Sequence, residues 1–255
     1  MLLTTFPRAV ILLVLLLVGQ TSWAASTLVA VAANFSKPMT EIAAEFKKDT
    51  GHTAKLSFGS TGKFVSQLEH GGPFEVLLSA DEKAPQRLVE SGLAVANSQF
   101  TYAIGRLVLW SAKPGYVDDQ GKILTTGGVK HIALADPKLA PYGVAAVEVL
   151  KNLGLFEKLQ PLFVQGENIA QTFQFVSTGN APLGFIALSQ VIENGKIAKG
   201  SGWIIPREDY SPIRQDAVLM KKGAENPAAT ALLDYLKSAP ALAIIEKFGY
   251  DLPKK

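Results

Sequence analysis

The fold is decided by residues 28–80, LVAVAANFSKPMTEIAAEFKKDTGHTAKLSFGSTGKFVSQLEHGGPFEVLLSA. Within it, residues 28–33, 52–58 and 75–80 are predicted as strands, because they are short and apolar or alternating. Helical patterns lie between the strands, and Pro38 suits the first turn of the first helix. Strands that alternate with helices predict a parallel sheet covered by helices.

A second alternation of strands and helices begins near residue 131 and includes predicted strands at 131–135 and 183–188. Between the two alternations, residues 102–110 (YAIGRLVLW) are predicted as one longer strand. We therefore expect an α/β protein of two lobes joined by crossing strands. The predicted limits are 25–106 for the first part of lobe 1, 107–212 for lobe 2 and 213–255 for the return to lobe 1.

The N-terminal residues 1–24 are predicted as a secretory signal peptide. Arg8 precedes an apolar run at 9–18, and the small residues Ser22 and Ala24 fit cleavage after Ala24. The apolar run is about half as long as the roughly 20 residues that a membrane-spanning helix needs. A chain exported without a lipid anchor is expected in the bacterial periplasm.

Composition excludes several functional classes. The 255 residues contain no cysteine, which excludes disulfides, thiolate metal sites and cysteine nucleophiles. The net charge is only +3 and no run of Lys or Arg exceeds two, so no nucleic-acid partner is expected. The three histidines, His52, His70 and His131, are isolated from other metal ligands. We therefore predict a protein that is not an enzyme and that carries no cofactor and no directly ligated metal.

Four strand-to-helix loops are the candidate ligand-binding elements, at 33–36, 59–62, 141–143 and 166–169. In an open parallel sheet, ligands bind at the carboxyl ends of the strands. Each loop also begins a helix, whose unpaired N–H groups attract anions. The loops contribute mainly neutral donors, which suits a small oxyanion in a cleft between the lobes. Alternatively, Asn34 and Ser60 only cap their helices.

An ordered set of motifs resembles the periplasmic molybdate-binding proteins of ABC-type uptake systems over nearly the whole exported chain. The resemblance rests on nine segments: 32–35 (AANF), 58–63 (FGSTGK), 72–74 (GPF), 78–81 (LSAD), 135–137 (ADP), 141–143 (PYG), 166–168 (GEN), 179–184 (GNAPLG) and 247–250 (KFGY). It implies a two-lobed type II periplasmic binding-protein fold, with mixed sheets flanked by helices and the ligand cleft between the lobes. It also implies molybdate and usually tungstate as ligands, an inner-membrane ABC permease as partner, and a monomer.

The same resemblance assigns the oxyanion to five residues: Asn34, Ser60, Thr61, Tyr142 and Ile169. Ile169 corresponds to a position that donates its backbone N–H. The chain departs from enteric members of the family at Ala187, where those members carry a ligand tyrosine. The phenol of Tyr142 is expected to replace that missing donor.

Two alternatives remain open from the sequence. A protein of the same fold could bind another oxyanion, such as sulfate, or a small organic acid, with Arg106 or Arg214 in the cleft. Ser60 and Lys63 also match the S-x-x-K motif of serine acyl-transfer enzymes, but its partner motifs S-D-N and K-T-G are absent from the chain. We therefore interpret that motif as a chance match.

Overall fold

A computed structural model describes residues 24–253, so the predicted signal peptide lies outside the described residues except for Ala24. The first sheet contains β1 (Ser26–Ala32), β2 (Thr53–Gly59), β3 (Val76–Leu78), β4 (Phe100–Gly105) and β12 (Ile213–Leu219). Its spatial order is β2-β1-β3-β12-β4. The second sheet contains β5 (Leu107–Ser111), β6 (Ile132–Ala135), β7 (Phe163–Gly166), β8 (Leu183–Ala187) and β11 (Ser201–Ile204). Its order is β11-β5-β8-β6-β7, and β9 (Ile192–Glu193) and β10 (Lys196–Ile197) form a separate hairpin.

Helices cover both sheets. Their bounds are α1 (Ser36–Thr50), α2 (Thr61–Glu69), α3 (Lys83–Glu90), α4 (Ile123–Thr126), α5 (Pro141–Asn152), α6 (Phe156–Leu159), α7 (Ile169–Ser177), α8 (Pro227–Tyr235) and α9 (Ala239–Lys247). In residues 24–253 no single helix is both long and apolar enough to cross a membrane. The helices α8 and α9 meet those criteria only as a pair, which is bent by 61°.

Both sheets are mixed. The strand β1 pairs in parallel with β2 and β3, as the strand–helix alternation predicts. The returning strand β12 enters antiparallel between β3 and β4. In the second sheet, β6 is parallel to β7 and β8, while β5 is antiparallel to β8 and β11. The predicted fold class, two α/β lobes with mixed sheets flanked by helices, is confirmed.

The prediction of a single strand at 102–110 is wrong. The chain leaves the first sheet after Gly105 and enters the second at Leu107, so Arg106 alone separates two strands of different sheets. Both halves of the run are apolar because both are buried strands, and strand periodicity carries no information about sheet membership. The chain crosses back between Ile204 and Ile213. The lobe limits at 106/107 and 212/213 stay predictions.

Each sheet has its own apolar core. In the first, Met39, Ile42 and Phe46 on one face of α1 are fully buried against the sheet. In the second, Phe185 of β8 is buried together with Tyr142 at the start of α5. The cores fix the starts of α1 and α5 relative to the strand ends, which positions the loops between the lobes.

Candidate anion-binding site

A small cavity lies between the lobes, where strand ends of one sheet face helix starts of the other. Its volume is about 10 Å³, roughly what one ordered water needs. The lining consists of Ala32, Ala33, Asn34, Gly59, Ser60, Thr61, Ala80, Ala140, Pro141, Tyr142, Asn168 and Ile169. The structure thus brings all five predicted ligand residues together, and all twelve lining residues are uncharged. Their roles as ligands stay predictions.

The start of α7 lines this cavity and leaves one amide without a partner in the described residues. Asn168 caps the helix, and its Oδ1 accepts hydrogen bonds from the N–H groups of Ala170 and Gln171, both at 3.0 Å. The N–H of Ile169, the first helical residue, has no partner among residues 24–253. Ile169 is 3 % exposed, so this open donor belongs to a buried residue of the cavity wall.

The start of α2 has the same arrangement. Ser60 caps the helix and its Oγ accepts from the Lys63 N–H at 3.4 Å. The Gly62 N–H donates across the cleft to the carbonyl of Leu139 at 3.0 Å. Within the described chain, the Thr61 N–H is left without a partner. The Thr61 hydroxyl accepts from the Ala80 N–H at 3.1 Å, which fixes the side chain beside the cavity.

The start of α5 is opened by a proline, which loses nothing at this position because its missing N–H would have no helical partner. Gly143 donates its N–H to the carbonyl of Ala140 at 2.9 Å. The N–H of Tyr142, the residue between Pro141 and Gly143, has no partner in the part of the chain that the structure describes. Three helix starts, one from lobe 1 and two from lobe 2, therefore offer one open amide each, at the positive ends of their dipoles.

The phenol of Tyr142 is hydrogen-bonded within the protein. Its oxygen accepts a hydrogen bond from Gln215 Nε2 at 3.2 Å, and the residue is 1 % exposed. Gln215 does not belong to the cavity lining. The idea that this phenol replaces the tyrosine missing at Ala187 stays a prediction.

The side chain of Asn34 is also engaged within the protein. Its Nδ2 donates to Gln215 Oε1 at 2.8 Å and to the Tyr250 hydroxyl at 3.0 Å, so both amide hydrogens have protein partners. Tyr250 in turn donates to the Asn34 carbonyl at 2.8 Å. Gln215 and Tyr250 come from the last part of the chain, and sequence analysis did not single them out. The K-F-G-Y segment that contains Tyr250 was the one available signal.

Burial keeps the phenols of this network protonated. Removal from solvent raises the pKa of Tyr102 and of Tyr142 well above the ordinary value. It raises the pKa of Tyr250 to about 12. At neutral pH the region behind the cavity therefore contains hydroxyl donors and no phenolate.

The cationic alternatives lie away from the cavity lining. Arg214 pairs with Glu82, Nε to Oε2 at 3.0 Å, and is about half exposed. It borders a larger groove of about 700 Å³ that adjoins the cavity, and neither Arg214 nor Arg106 lines the cavity itself. The Lys63 ammonium pairs with Glu167 at 2.6 Å, so only its backbone N–H contacts Ser60 Oγ. Residues 24–253 contain no group of three or more His, Asp or Glu side chains that could hold a metal ion.

Comparisons with known proteins place the chain in a family. The family model of the bacterial extracellular solute-binding proteins matches residues 27–251. The molybdate-binding protein ModA of Azotobacter vinelandii is 58% identical over 229 residues, covering 90% of this chain and 91% of that protein. ModA of Rhodobacter capsulatus is 54% identical over 227 residues, covering 89% and 88%. The solved structure of the periplasmic molybdate-binding protein of A. vinelandii superposes with a TM-score of 0.86 at 44% identity, covering 89% of this chain and all of that one.

Proposed function

Because this chain belongs to the bacterial extracellular solute-binding protein family, we propose that it captures molybdate in the periplasm and delivers it to an ABC transporter permease. Tungstate, which has the same charge and four oxygens, is a second ligand. The observation that carries the proposal is the uncharged cavity, with open helix-start amides from both lobes. The protein acts as a monomer, needs no cofactor and performs no chemistry on the anion.

Neutral donors suit a tetrahedral dianion. Burial removes its hydration shell at a large cost in free energy, which hydrogen bonds from the protein can offset. Peptide N–H groups at helix ends and hydroxyls replace that shell without a counter-ion. A protonated anion such as hydrogen phosphate needs an acceptor for its O–H, and a buried polar group without a partner costs about 1–3 kcal/mol. Sulfate has no such proton and is smaller than molybdate, so the spacing of the donors in the closed cleft has to favour the larger anion.

Several contacts hold the lobes together across the cleft. Gly62 N–H donates to the Leu139 carbonyl at 3.0 Å, and Lys37 Nζ donates to the Gln190 carbonyl at 2.9 Å. We interpret this arrangement as a closed form of the two lobes, whose cavity has to widen beyond the volume of one water to hold the anion. An anion that contacts donors from both lobes favours this form over an open one.

Two measurements test the proposal. Elemental analysis of the protein as purified shows which oxyanion it carries, and we expect molybdenum or tungsten. Calorimetry of the exported chain with molybdate, tungstate, sulfate and phosphate should give tight binding of the first two and much weaker binding of the others. Equal affinity for sulfate and molybdate, or binding of neither, would contradict the proposed ligand.

A further inference from the structure

One buried amide connects the two lobes behind the cavity. Gln215, on β12 next to a shift in its pairing with β4, is fully buried. Its Oε1 accepts from Asn34 Nδ2 at 2.8 Å and from the Tyr102 hydroxyl at 3.0 Å, both in the first lobe. Its Nε2 donates to the Tyr142 hydroxyl of the second lobe at 3.2 Å. The side-chain amide of Gln215 therefore accepts hydrogen bonds from the first lobe and donates one to the second lobe.

The Tyr142 phenol lies directly against Gly105, the last residue of β4 before the chain crosses to the second lobe. A β-carbon at Gly105 would overlap the phenol oxygen, and it would stand 2.9 Å from Tyr142 Cζ and 2.7 Å from Gln215 Nε2. Gly105 is not among the glycines with positive φ. Its backbone therefore accepts alanine, and the requirement at this position is space for the phenol and for the Gln215 amide.

Tyr142 serves the site at both ends. Tyr142 lines the cavity and its N–H, at the start of α5, has no partner in residues 24–253, while its phenol reaches the crossing between the lobes. Contacts that hold the phenol against the first lobe therefore also position this N–H. We propose that Gly105, Tyr142 and Gln215 form a closure latch, which positions the Tyr142 N–H for the anion only when the lobes are together. Gly105 and Gln215 are positioning residues in this latch, and the inference rests on the proposed function.

A double-mutant cycle tests the latch: wild type, Gly105→Ala, Tyr142→Ala, and both substitutions together. Calorimetry gives molybdate affinity, and stopped-flow displacement gives the dissociation rate. We expect Gly105→Ala in the wild-type background to weaken binding at least tenfold, mainly through faster dissociation, because the closed form is disfavoured. In the Tyr142→Ala background, where only the Gln215 amide still needs the space, the same substitution should cost clearly less affinity than in the wild-type background. Urea unfolding of the ligand-free proteins checks that each variant is folded.

A matched glutamine pair gives a second test that does not depend on Gly105. Gln215→Leu should accelerate molybdate dissociation at least tenfold. Gln99→Leu is the control, because Gln99 also contacts β12, through Asp216 Oδ2 at 2.7 Å, but lies outside the latch. Equal penalties for Gly105→Ala in both backgrounds, or equal dissociation rates for the two glutamine variants, would overturn the latch alone. Wild-type protein that binds no molybdate would overturn the proposed function, and the latch with it.

Discussion

The backbone N–H of Gly62 donates to the carbonyl of Leu139 at 3.0 Å, which joins the first turn of α2 in one lobe to the residues just before α5 in the other. Space for a side chain is short at this contact, because a β-carbon on Gly62 would stand 3.2 Å from Leu139 Cα and from its carbonyl oxygen. The bond also occupies the amide next to Thr61. The contact between the lobes thus leaves Thr61, and not Gly62, as the residue of this turn whose N–H has no partner in residues 24–253.

The Ile169 amide can be removed without removing its helix. Proline is tolerated at the first helical position, and Asn168 before it already has the extended backbone that proline requires (φ −154, ψ 171). We expect Ile169→Pro to weaken molybdate binding by about 1.5–3 kcal/mol, the contribution of a hydrogen bond to a charged group. Calorimetry measures this effect. Ile169→Ala, which keeps the N–H but loses the side chain, is the control, and equal losses in both variants would argue against a backbone donor here.

The Tyr142 hydroxyl should contribute to affinity through Gln215. In Tyr142→Phe, Gln215 Nε2 loses its acceptor in a buried region. We expect molybdate affinity to fall by about 1–3 kcal/mol, with the cost arising in the closed form. Asn34→Ala should cost a similar amount. Tyr116→Phe, at a partly buried tyrosine outside the network, should leave the calorimetric affinity unchanged; a comparable loss there would contradict the interpretation.

The ion pair between Lys63 and Glu167 across the cleft should contribute little to molybdate affinity. Lys63 and Glu167 are 2.6 Å apart, but their side chains are 46% and 59% exposed. Exposed pairs typically contribute about 0–1 kcal/mol. Lys63→Gln should therefore change molybdate affinity by less than about 1 kcal/mol, with the difference shrinking as salt is added. A large loss that persists at high salt would mean that the lysine contacts the anion.

Substitution of Arg214 and of Arg106 distinguishes a molybdate-binding protein from one that binds an organic carboxylate. Since neither lines the cavity, Arg214→Ala and Arg106→Ala should each retain molybdate affinity close to wild type. Far-ultraviolet circular dichroism confirms that the variants are folded. Loss of all anion binding in either folded variant would favour a carboxylate-binding protein instead.

The buried phenols predict an alkaline limit to stability. Burial raises the pKa of Tyr250 from 10.0 to about 12, and it raises those of Tyr102 and Tyr142 in the same direction. A group whose folded pKa is raised contributes stability that is present below its unfolded pKa and lost as pH rises through its folded pKa. The free energy of unfolding should therefore fall between pH 10 and about 12, and Tyr250→Phe should reduce that fall. Urea unfolding at a series of pH values measures both changes. Phenolate absorbance of the folded protein followed against pH reports the ionisation itself, and early titration of every tyrosine there would contradict the prediction.

Much of the fold and the candidate site followed from local patterns. The five predicted ligand residues meet because each follows a strand end in one of two partly parallel sheets, where strand–helix loops gather at one edge. Gln215 had no such signal, because it approaches Asn34 from a strand 181 residues away. Gly105 had a weak signal in the sequence, since a glycine inside a strand pattern indicates close approach of another group. Its partner, the phenol at the start of α5, required the three-dimensional structure.

The open amides of Thr61, Tyr142 and Ile169 belong to the peptide backbone, which has a consequence for inheritance. Nearly every point mutation exchanges a side chain and leaves the peptide N–H where it was; only proline deletes it. The side chains around the cavity can therefore change widely in descendants of this chain. The same backbone N–H groups would still be presented to the proposed anion, provided that the helices continue to begin at the same residues.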